Sequence, residues 1–356
     1  MTAARPHVLV VRLDNLGDVL LAGPAVRAVA AGARRVTFLA GRRGRGAAAL
    51  LPGVDEVLVA EAPWIDADPE PVDRVAVLGL VDRLAELRLD QAVILTSFHQ
   101  SPLPMALLLR MAGVPVVAAV SEDYPGSLLD IRHRVPDDIH EVERALSTVG
   151  TLGYRLPPGD AGRLAVRREG TAGQRRNPAP VAVHPGATVP ARTWTPDRWA
   201  DLVDALAGAG REVLVTGGPG EEPLTRAVAG PSRPGVTDLG GRLDLAGLAR
   251  VLAEAAAVVV GNTGPAHLAA AVGTPVVSLF APTVPAVRWR PWGVPHVLLG
   301  RQDISCAGCR ARVCPVAGHP CLATVSVDDV RRALDVLGVL GVGETRPSAV
   351  KEVLSA

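Results

Sequence analysis

A glycine-containing turn between an apolar run and a short helix has the residue types best suited to bind phosphate. Val258–Val260 is β-branched and apolar, as in a buried strand, and Gly261-Asn-Thr-Gly264 breaks it. Pro265 stands at the first turn of the next helix, where a missing N–H costs nothing. The start of that helix aims N–H groups and a positive dipole end at one point, which suits a phosphate or diphosphate. An ordinary βαβ unit with a tight turn has the same pattern, so this stretch needs support from the rest of the chain.

A carboxylate near the N-terminus is a candidate general base. Arg12-Leu-Asp-Asn-Leu-Gly-Asp18 follows the first predicted strand, and Gly17 permits a close approach. Asp18 stands at the start of the next predicted helix, Val19–Ala31. It is either the N-cap of this helix or a base that faces a ligand, and the spacing does not decide between the two.

Two further loops offer groups that bind phosphate and ribose. The loop that begins at His184 carries the hydroxyl of Thr188 and the planar, permanently charged Arg192, which suits phosphate oxygens. A later glycine-rich turn ends in Glu221 and Glu222, and one of these carboxylates can accept hydrogen bonds from ribose hydroxyls. A solvated helix N-terminus explains the other acid equally well.

All four cysteines lie in one short segment, at Cys306, Cys309, Cys314 and Cys321. Such spacing in a reducing compartment favours a metal over disulfides, and four thiolates suit structural zinc or iron. His319 is a substitute ligand in that segment. Reduced cysteines without a metal are the equally weighted alternative, and neither reading gives the segment a part in catalysis.

The elements that must position these residues are those of an α/β protein. Apolar strands alternate with helices in two successive halves, which predicts parallel sheets covered by helices on both faces. A Pro- and Gly-rich stretch at 155–180 is the predicted linker. We therefore expect two Rossmann-like domains, 1–165 and 166–356, that face each other across a cleft. The tail after Ser326 is predicted to be helical and can pack back on the first domain.

Composition excludes several classes of partner. The 356 residues carry a formal net charge of +1, so no basic excess argues for nucleic acid. No apolar stretch is long enough to span a bilayer, and the first residues do not have a signal-peptide layout. A cytoplasmic location is expected, with peripheral attachment at the inner face of the membrane left open.

Four segments, in order along the chain, resemble glycosyltransferase family 9, the heptosyltransferases. They are Arg12-Leu-Asp-Asn-Leu-Gly-Asp18, His184-Pro-Gly-Ala with Arg192 and Trp194, Gly217-Gly-Pro-Gly-Glu-Glu222, and Gly261-Asn-Thr-Gly-Pro-Ala-His-Leu268. The resemblance implies a GT-B fold of two Rossmann-like domains. The first domain would bind the acceptor and the second would bind the nucleotide-sugar donor.

The resemblance also implies a role for each matching residue. Asp18, preceded by Gly17, would be the base that deprotonates the acceptor hydroxyl. Arg192 stands where other members use lysine to hold the diphosphate. Glu221 or Glu222 would bind the ribose, and Leu243 would pack on the nucleobase. The remaining matching residues fall in the turn that receives the phosphates: Asn262, Thr263, Gly264, Pro265 and His267. Some members carry aspartate at the position of Asn262.

The resemblance implies an inverting glycosyltransferase. It would move a sugar, expected to be heptose, from an ADP-activated donor to a hydroxyl acceptor. No cofactor is needed for that chemistry. The acceptor is left open among a glycan, a lipid-linked glycan, a protein and a metabolite. The alternatives are a GT-B sugar-nucleotide epimerase or hydrolase, and a metal-stabilised nucleotide-binding protein without catalytic activity.

Overall fold

The computed structural model describes residues 4–66, 69–168 and 178–340. The chain divides into two compact units, Met1–Arg167 and Arg168–Ala356, and each contains one parallel sheet. Within the predicted linker at 155–180, residues 169–177 lie outside the described residues, as does the tail after residue 340.

The sheet of the first unit has six strands in the order β3-β2-β1-β4-β5-β6. All neighbouring strands are parallel. The strands are β1 His7–Arg12, β2 Arg35–Ala40, β3 Glu56–Val59, β4 Gln91–Ile94, β5 Val116–Val120 and β6 Ile131–His133. This is the strand order of a doubly wound Rossmann sheet.

The second sheet repeats the same topology with the order β12-β11-β10-β7-β8-β9, again parallel throughout. Its strands are β7 Val181–His184, β8 Val213–Val215, β9 Val236–Asp238, β10 Ala257–Gly261, β11 Val276–Leu279 and β12 His296–Leu299. The predicted pair of Rossmann-like domains is therefore confirmed.

Helices follow nearly every strand. They are α1 Leu16–Leu21, α2 Gly23–Gly32, α3 Arg45–Leu50, α4 Arg74–Glu86, α5 Leu103–Met111, α6 Glu141–Gly150, α7 Pro196–Gly208, α8 Glu222–Ala229, α9 Leu245–Glu254, α10 Gly264–Ala271, α11 Ala286–Trp289, α12 Pro320–Ala323 and α13 Val327–Val336. Within the described ranges, no helix combines the length and apolar character that crossing a bilayer requires.

The central strands are buried along their whole length, which explains their continuous apolar sequences. Every residue of β1 and of β10 is buried. Helices cover both faces of a parallel sheet, so no face of these strands meets water. The polar residues of the site therefore lie at the strand ends, in the loops and in the first turns of the helices that follow.

The predicted helix Val19–Ala31 is two helices in the structure. α1 ends at Leu21, and α2 begins at Gly23 with Pro24 in its first turn. Proline lacks the N–H that would continue α1, but it fits the first turn of a new helix. The last described helix, α13, is capped by Ser326 and packs on α7 and on strands of the second sheet.

Candidate functional site

Each unit has a switch point where helices leave neighbouring strands in opposite directions. In the first unit it lies between β1 and β4, and in the second between β7 and β10. Open α/β sheets bind ligands outside the carboxyl ends of the strands at such points. The loops after β1, β7 and β10 occupy these positions, and they carry most of the predicted site residues.

The turn after β10 contains buried polar atoms that no described residue satisfies. Thr263 occupies the N-cap position of α10, and Asn262 donates from Nδ2 to the carbonyl of Ala281 at 3.2 Å. Oδ1 of Asn262 and Oγ1 of Thr263 are buried and have no hydrogen-bond partner among the described residues. Buried polar atoms are nearly always paired, so these two oxygens are candidates for contact with a polar ligand.

The rest of the predicted phosphate turn forms the start of α10. Gly264 is the first helical residue, and Pro265 stands in the first turn. His267 is buried one turn further along. The N-terminal end of this helix therefore adds partial positive charge beside the unsatisfied atoms.

Arg192 lies in a loop that is in direct contact with the turn. Its Nε donates to Oγ1 of Thr283 at 3.1 Å, just after β11. A Cβ at Gly261 would lie 2.5 Å from the carbonyl oxygen of Arg192, so the two backbones touch only because Gly261 has no side chain. The main chain of Arg192 thus contacts the predicted phosphate turn, and its guanidinium is held at Thr283. Thr188 is exposed in the same loop.

The two predicted acids after β8 have different surroundings. Oε2 of Glu221 accepts from the N–H of Gly218 at 2.7 Å and lies 3.8 Å from Nε2 of His184. Burial lowers the pKa of His184 to about 4, so this imidazole is neutral at pH 7 and forms no charged pair with Glu221. The carboxylate of Glu221 occupies the space where a side chain at Gly186 would be, so it faces the loop after β7.

Glu222, the first residue of α8, faces the neighbouring turn. Its side chain lies against Gly241, in the place that a Cβ there would need. Leu243 follows two residues later, half-buried, just before Asp244 caps α9. The structure therefore separates the acids, with Glu221 towards the Arg192 loop and Glu222 towards the Leu243 turn.

In the first unit, a buried arginine gathers three carboxylates at the end of β1. Nη2 of Arg12 lies 3.1 Å from Oδ1 of Asp18, Nε lies 2.7 Å from Oδ2 of Asp14, and Nη1 lies 3.1 Å from Oε2 of Glu141. Nη2 also donates to Oγ of Ser97 at 2.8 Å. These groups are referred to below as the Arg12 cluster.

Exposure distinguishes the carboxylates of the Arg12 cluster. The side chain of Asp18 is 19% exposed, against 7% for Asp14 and 1% for Glu141. Burial raises the pKa of Asp14 to about 6 despite the adjacent Arg12, and burial also raises the pKa of Glu141. The three carboxylates outweigh the effect of burial on Arg12 and raise its pKa above the ordinary value. Asp18 is the member of the cluster with the most access to a dissolved molecule.

The N-cap reading of Asp18 is wrong. The N-cap of α1 is Asn15, and Asp18 is the third helical residue, after Gly17. No sequence pattern indicates that Glu141 reaches this loop, because 129 positions separate it from Arg12. The only available signal was an acid at the start of a predicted helix, next to His140, which caps α6.

Of the two options for the cysteines, the described residues do not support the metal site. Cys306, Cys309, Cys314 and Cys321 form no disulfide, and they line one small pocket together with His319. Across the described part of the chain, no three His, Cys, Asp or Glu side chains are arranged to hold a metal ion. Burial raises the pKa of Cys321, which favours the neutral thiol over the thiolate that a metal binds.

Two doubly wound parallel sheets with polar loops at both switch points define an α/β protein of the GT-B class. The profile of glycosyltransferase family 9 (heptosyltransferase) matches residues 81–319, and the chain belongs to this family. The sequence is similar to lipopolysaccharide heptosyltransferase 1 of Pseudomonas aeruginosa, with 34% identity over 224 residues, 60% of this chain and 61% of that one. The matches to that protein and to heptosyltransferase 3 of E. coli K12 cover 61% and 33% of those relatives' own length.

Solved structures support the fold. The glycosyl transferase family 9 protein from Veillonella parvula has a TM-score of 0.74 at 17% identity and covers 95% of this chain and 98% of its own. The E. coli heptosyltransferase WaaC with ADP has a TM-score of 0.70 at 20% identity, with 93% of this chain and 99% of that one covered. These likenesses extend over both units and confirm the GT-B fold.

Proposed function

We propose that the protein is an inverting glycosyltransferase that moves heptose from an ADP-activated donor to a hydroxyl acceptor. The observation that carries this proposal is the turn after β10. Its buried Asn262 and Thr263 oxygens are unsatisfied among the described residues, and they adjoin both a helix N-terminus and the Arg192 loop. Membership of family 9 and the likeness to a heptosyltransferase with ADP support the choice of donor.

On the donor side, Arg192 and the first turn of α10 hold the diphosphate. Negative charge builds on the leaving group as the sugar–diphosphate bond breaks, and a fixed guanidinium and a helix dipole stabilise that charge. The hydroxyls of Thr188 and Thr263 and the amide of Asn262 complete the set. Gly264, Pro265 and His267 shape the turn that brings the backbone to the phosphates.

The residues that bind the ribose and the base are assigned from the positions of the two acids. Glu221 faces the loop that carries Arg192, which supports assigning it to the ribose hydroxyls. Glu222 and Leu243 lie at the adjoining turn, where the half-buried leucine packs on the base.

On the acceptor side, Asp18 is the general base. Its carboxylate takes the proton of the acceptor hydroxyl as that oxygen bonds to the anomeric carbon. The carbon–oxygen bond to the diphosphate breaks in the same step, and its electron pair leaves on the β-phosphate of ADP. Attack opposite the leaving group inverts the anomeric centre. Asp14 and Glu141 are poorer candidates because they are more deeply buried.

The acceptor stays open among a glycan, a lipid-linked glycan, a protein side chain and a metabolite. We place the reaction in the cytoplasm, where free thiols such as these four persist, with peripheral attachment to the inner face of the membrane. Mass spectrometry of glycans and metabolites from cells with and without the protein identifies the acceptor, and fractionation of the same cells locates the enzyme.

Calorimetric titration tests the donor site. ADP should bind, and UDP and GDP should bind more weakly. Arg192→Gln should weaken ADP binding by about 10- to 100-fold, because it removes a hydrogen bond between charged groups. Binding of adenosine, which lacks the phosphates, should not change. The absence of ADP binding to the unmodified protein would refute the proposed function.

A further inference from the structure

The segment that contains the cysteines packs directly on the loops that form the proposed diphosphate site. Residues 304–321 are referred to here as the cysteine segment. Three of its backbone hydrogen bonds, of 2.7 to 2.9 Å, reach those loops: Ala191 N–H to the Arg312 carbonyl, Gly308 N–H to the Pro282 carbonyl, and Arg310 N–H to the Thr283 carbonyl. The same loops carry Arg192 and its partner Thr283. The cysteine segment therefore packs against the loops of the diphosphate site and stabilises their main chain.

One side chain of the cysteine segment, that of His319, also contacts these loops, and the backbone of His319 is strained. His319 has φ 46° and ψ 59°, the left-handed region that residues other than glycine rarely adopt. Its Nε2 lies 3.1 Å from the carbonyl oxygen of Ala191. Because a carbonyl only accepts, Nε2 carries the hydrogen in this contact. A strained conformation that persists indicates a constraint imposed by its surroundings.

The carbonyl that His319 binds belongs to the peptide bond that enters Arg192. The N–H at the other end of this peptide donates to the carbonyl of Val189 at 2.9 Å. The next carbonyl, that of Arg192 itself, lies against Gly261. Contacts on both sides of its Cα thus hold the main chain of Arg192. Of the three contacts just described, the one from His319 is made by a side chain.

We propose that His319 is a positioning residue for the diphosphate site: it holds the Ala191–Arg192 peptide so that the Arg192 guanidinium is fixed beside the turn after β10. This inference rests on the proposed function, because it needs Arg192 to bind the diphosphate. It also gives the cysteine segment a role in donor binding that requires no metal.

The decisive variant is His319→Gly, because glycine adopts the left-handed conformation without strain and lacks only the imidazole. Loss of one hydrogen bond that positions a ligand group should weaken ADP binding by about 3- to 10-fold. Binding of adenosine, which has no phosphate, should not change. The matched control is Arg88→Gly, which relieves a left-handed residue with φ 49° in the other unit and should leave both affinities unchanged.

Rescue separates the hydrogen bond from simple packing. His319→Gln places an amide N–H near the position of Nε2 and should recover part of the lost ADP affinity. If the glycine variant fails to fold, His319→Asn replaces it, because asparagine tolerates the left-handed region but is too short to reach Ala191.

Three results would overturn the inference: unchanged ADP affinity in the glycine or asparagine variant, an equal loss for ADP and adenosine, or a glutamine variant no better than glycine. The outcomes for the two proposals are distinguishable. If the unmodified protein does not bind ADP, the proposed function fails. If it binds ADP and the His319 variants bind equally well, only the positioning role fails.

Discussion

At the scale of single residues, Arg12 is the only arginine that pairs with three carboxylates at once among the described ion pairs. One positive charge cannot neutralise three negative ones. The arrangement is stable because Ser97 and Gln100 add hydrogen bonds and because Asp14 and Glu141 bind protons more readily when buried.

Removal of the arginine should be strongly destabilising. Arg12→Met leaves buried carboxylates without a counter-charge, and we expect the free energy of unfolding to fall by about 3–5 kcal/mol. Urea denaturation measures this change in the free energy of unfolding. The control is Arg42→Gln, which breaks an exposed pair with Glu61 and should change stability by less than about 1 kcal/mol. Equal effects of the two substitutions would show that the Arg12 cluster is not a unit of stability.

The raised pKa of Asp14 predicts a dependence of stability on pH. Burial raises this pKa from 3.8 to about 6, so the folded protein binds the proton more tightly than the unfolded chain. The contribution of Asp14 to the free energy of unfolding is therefore greatest below pH 3.8, falls as the pH rises to about 6, and is constant above that.

Comparison with Asp14→Asn isolates this contribution from those of the other carboxyl groups. Stability of the unmodified protein relative to the variant should fall between pH 4 and pH 6, as followed by urea denaturation at a series of pH values. A difference that is independent of pH, or that rises with pH, would contradict the assignment.

At the scale of elements, the site depends on the close approach of the β10 turn to the Arg192 loop. Gly261→Ala would place a Cβ 2.5 Å from a backbone carbonyl, which cannot move aside as a flexible side chain can. We expect a loss of about 1–3 kcal/mol in stability, typical of overpacking, together with weaker ADP binding.

The matched control is Gly79→Ala within α4, where nothing lies within 4 Å of the new Cβ. In that helix alanine should raise stability by up to about 1 kcal/mol. Thermal unfolding and ADP titration measure both variants. A Gly261→Ala protein as stable and as tight-binding as the control would show that the two loops do not need this contact.

The elements that could be predicted from the sequence are those whose signal is local. Continuous β-branched runs identified the central strands, and the run Val258–Val260 lies within β10, Ala257–Gly261. Three outer strands, β6, β9 and β12, were not predicted. They are only three or four residues long and partly exposed, so neither alternation nor an apolar run distinguishes them from loops.

At the scale of the whole molecule, the same reasoning explains how much of the site could be predicted. The turn after β10 was predictable because strand, turn and helix are contiguous in sequence. The contact between Arg12 and Glu141 joins residues 129 positions apart, and the contact between His319 and Ala191 joins residues 128 apart. Chain topology creates both contacts, and no local pattern records them. The choice between a metal site and reduced cysteines stayed open at the sequence level, because spacing alone does not fix how four thiols are oriented.

The proposed reaction assigns the two halves of the chemistry to the two units: the second unit binds the nucleotide, and the first provides the base. The most direct test compares Asp18→Asn with the unmodified protein in two assays. One measures ADP release from ADP-heptose with an acceptor fraction from cells that lack the protein. The other measures ADP affinity by calorimetry.

Turnover should fall by about 100-fold or more, within the range for a general base, because asparagine cannot take the acceptor proton. ADP affinity should stay within about two-fold, a difference of less than 0.5 kcal/mol, because the nucleotide site lies in the other unit. A variant that turns over at the normal rate while binding ADP normally would contradict the assignment of Asp18 as the base.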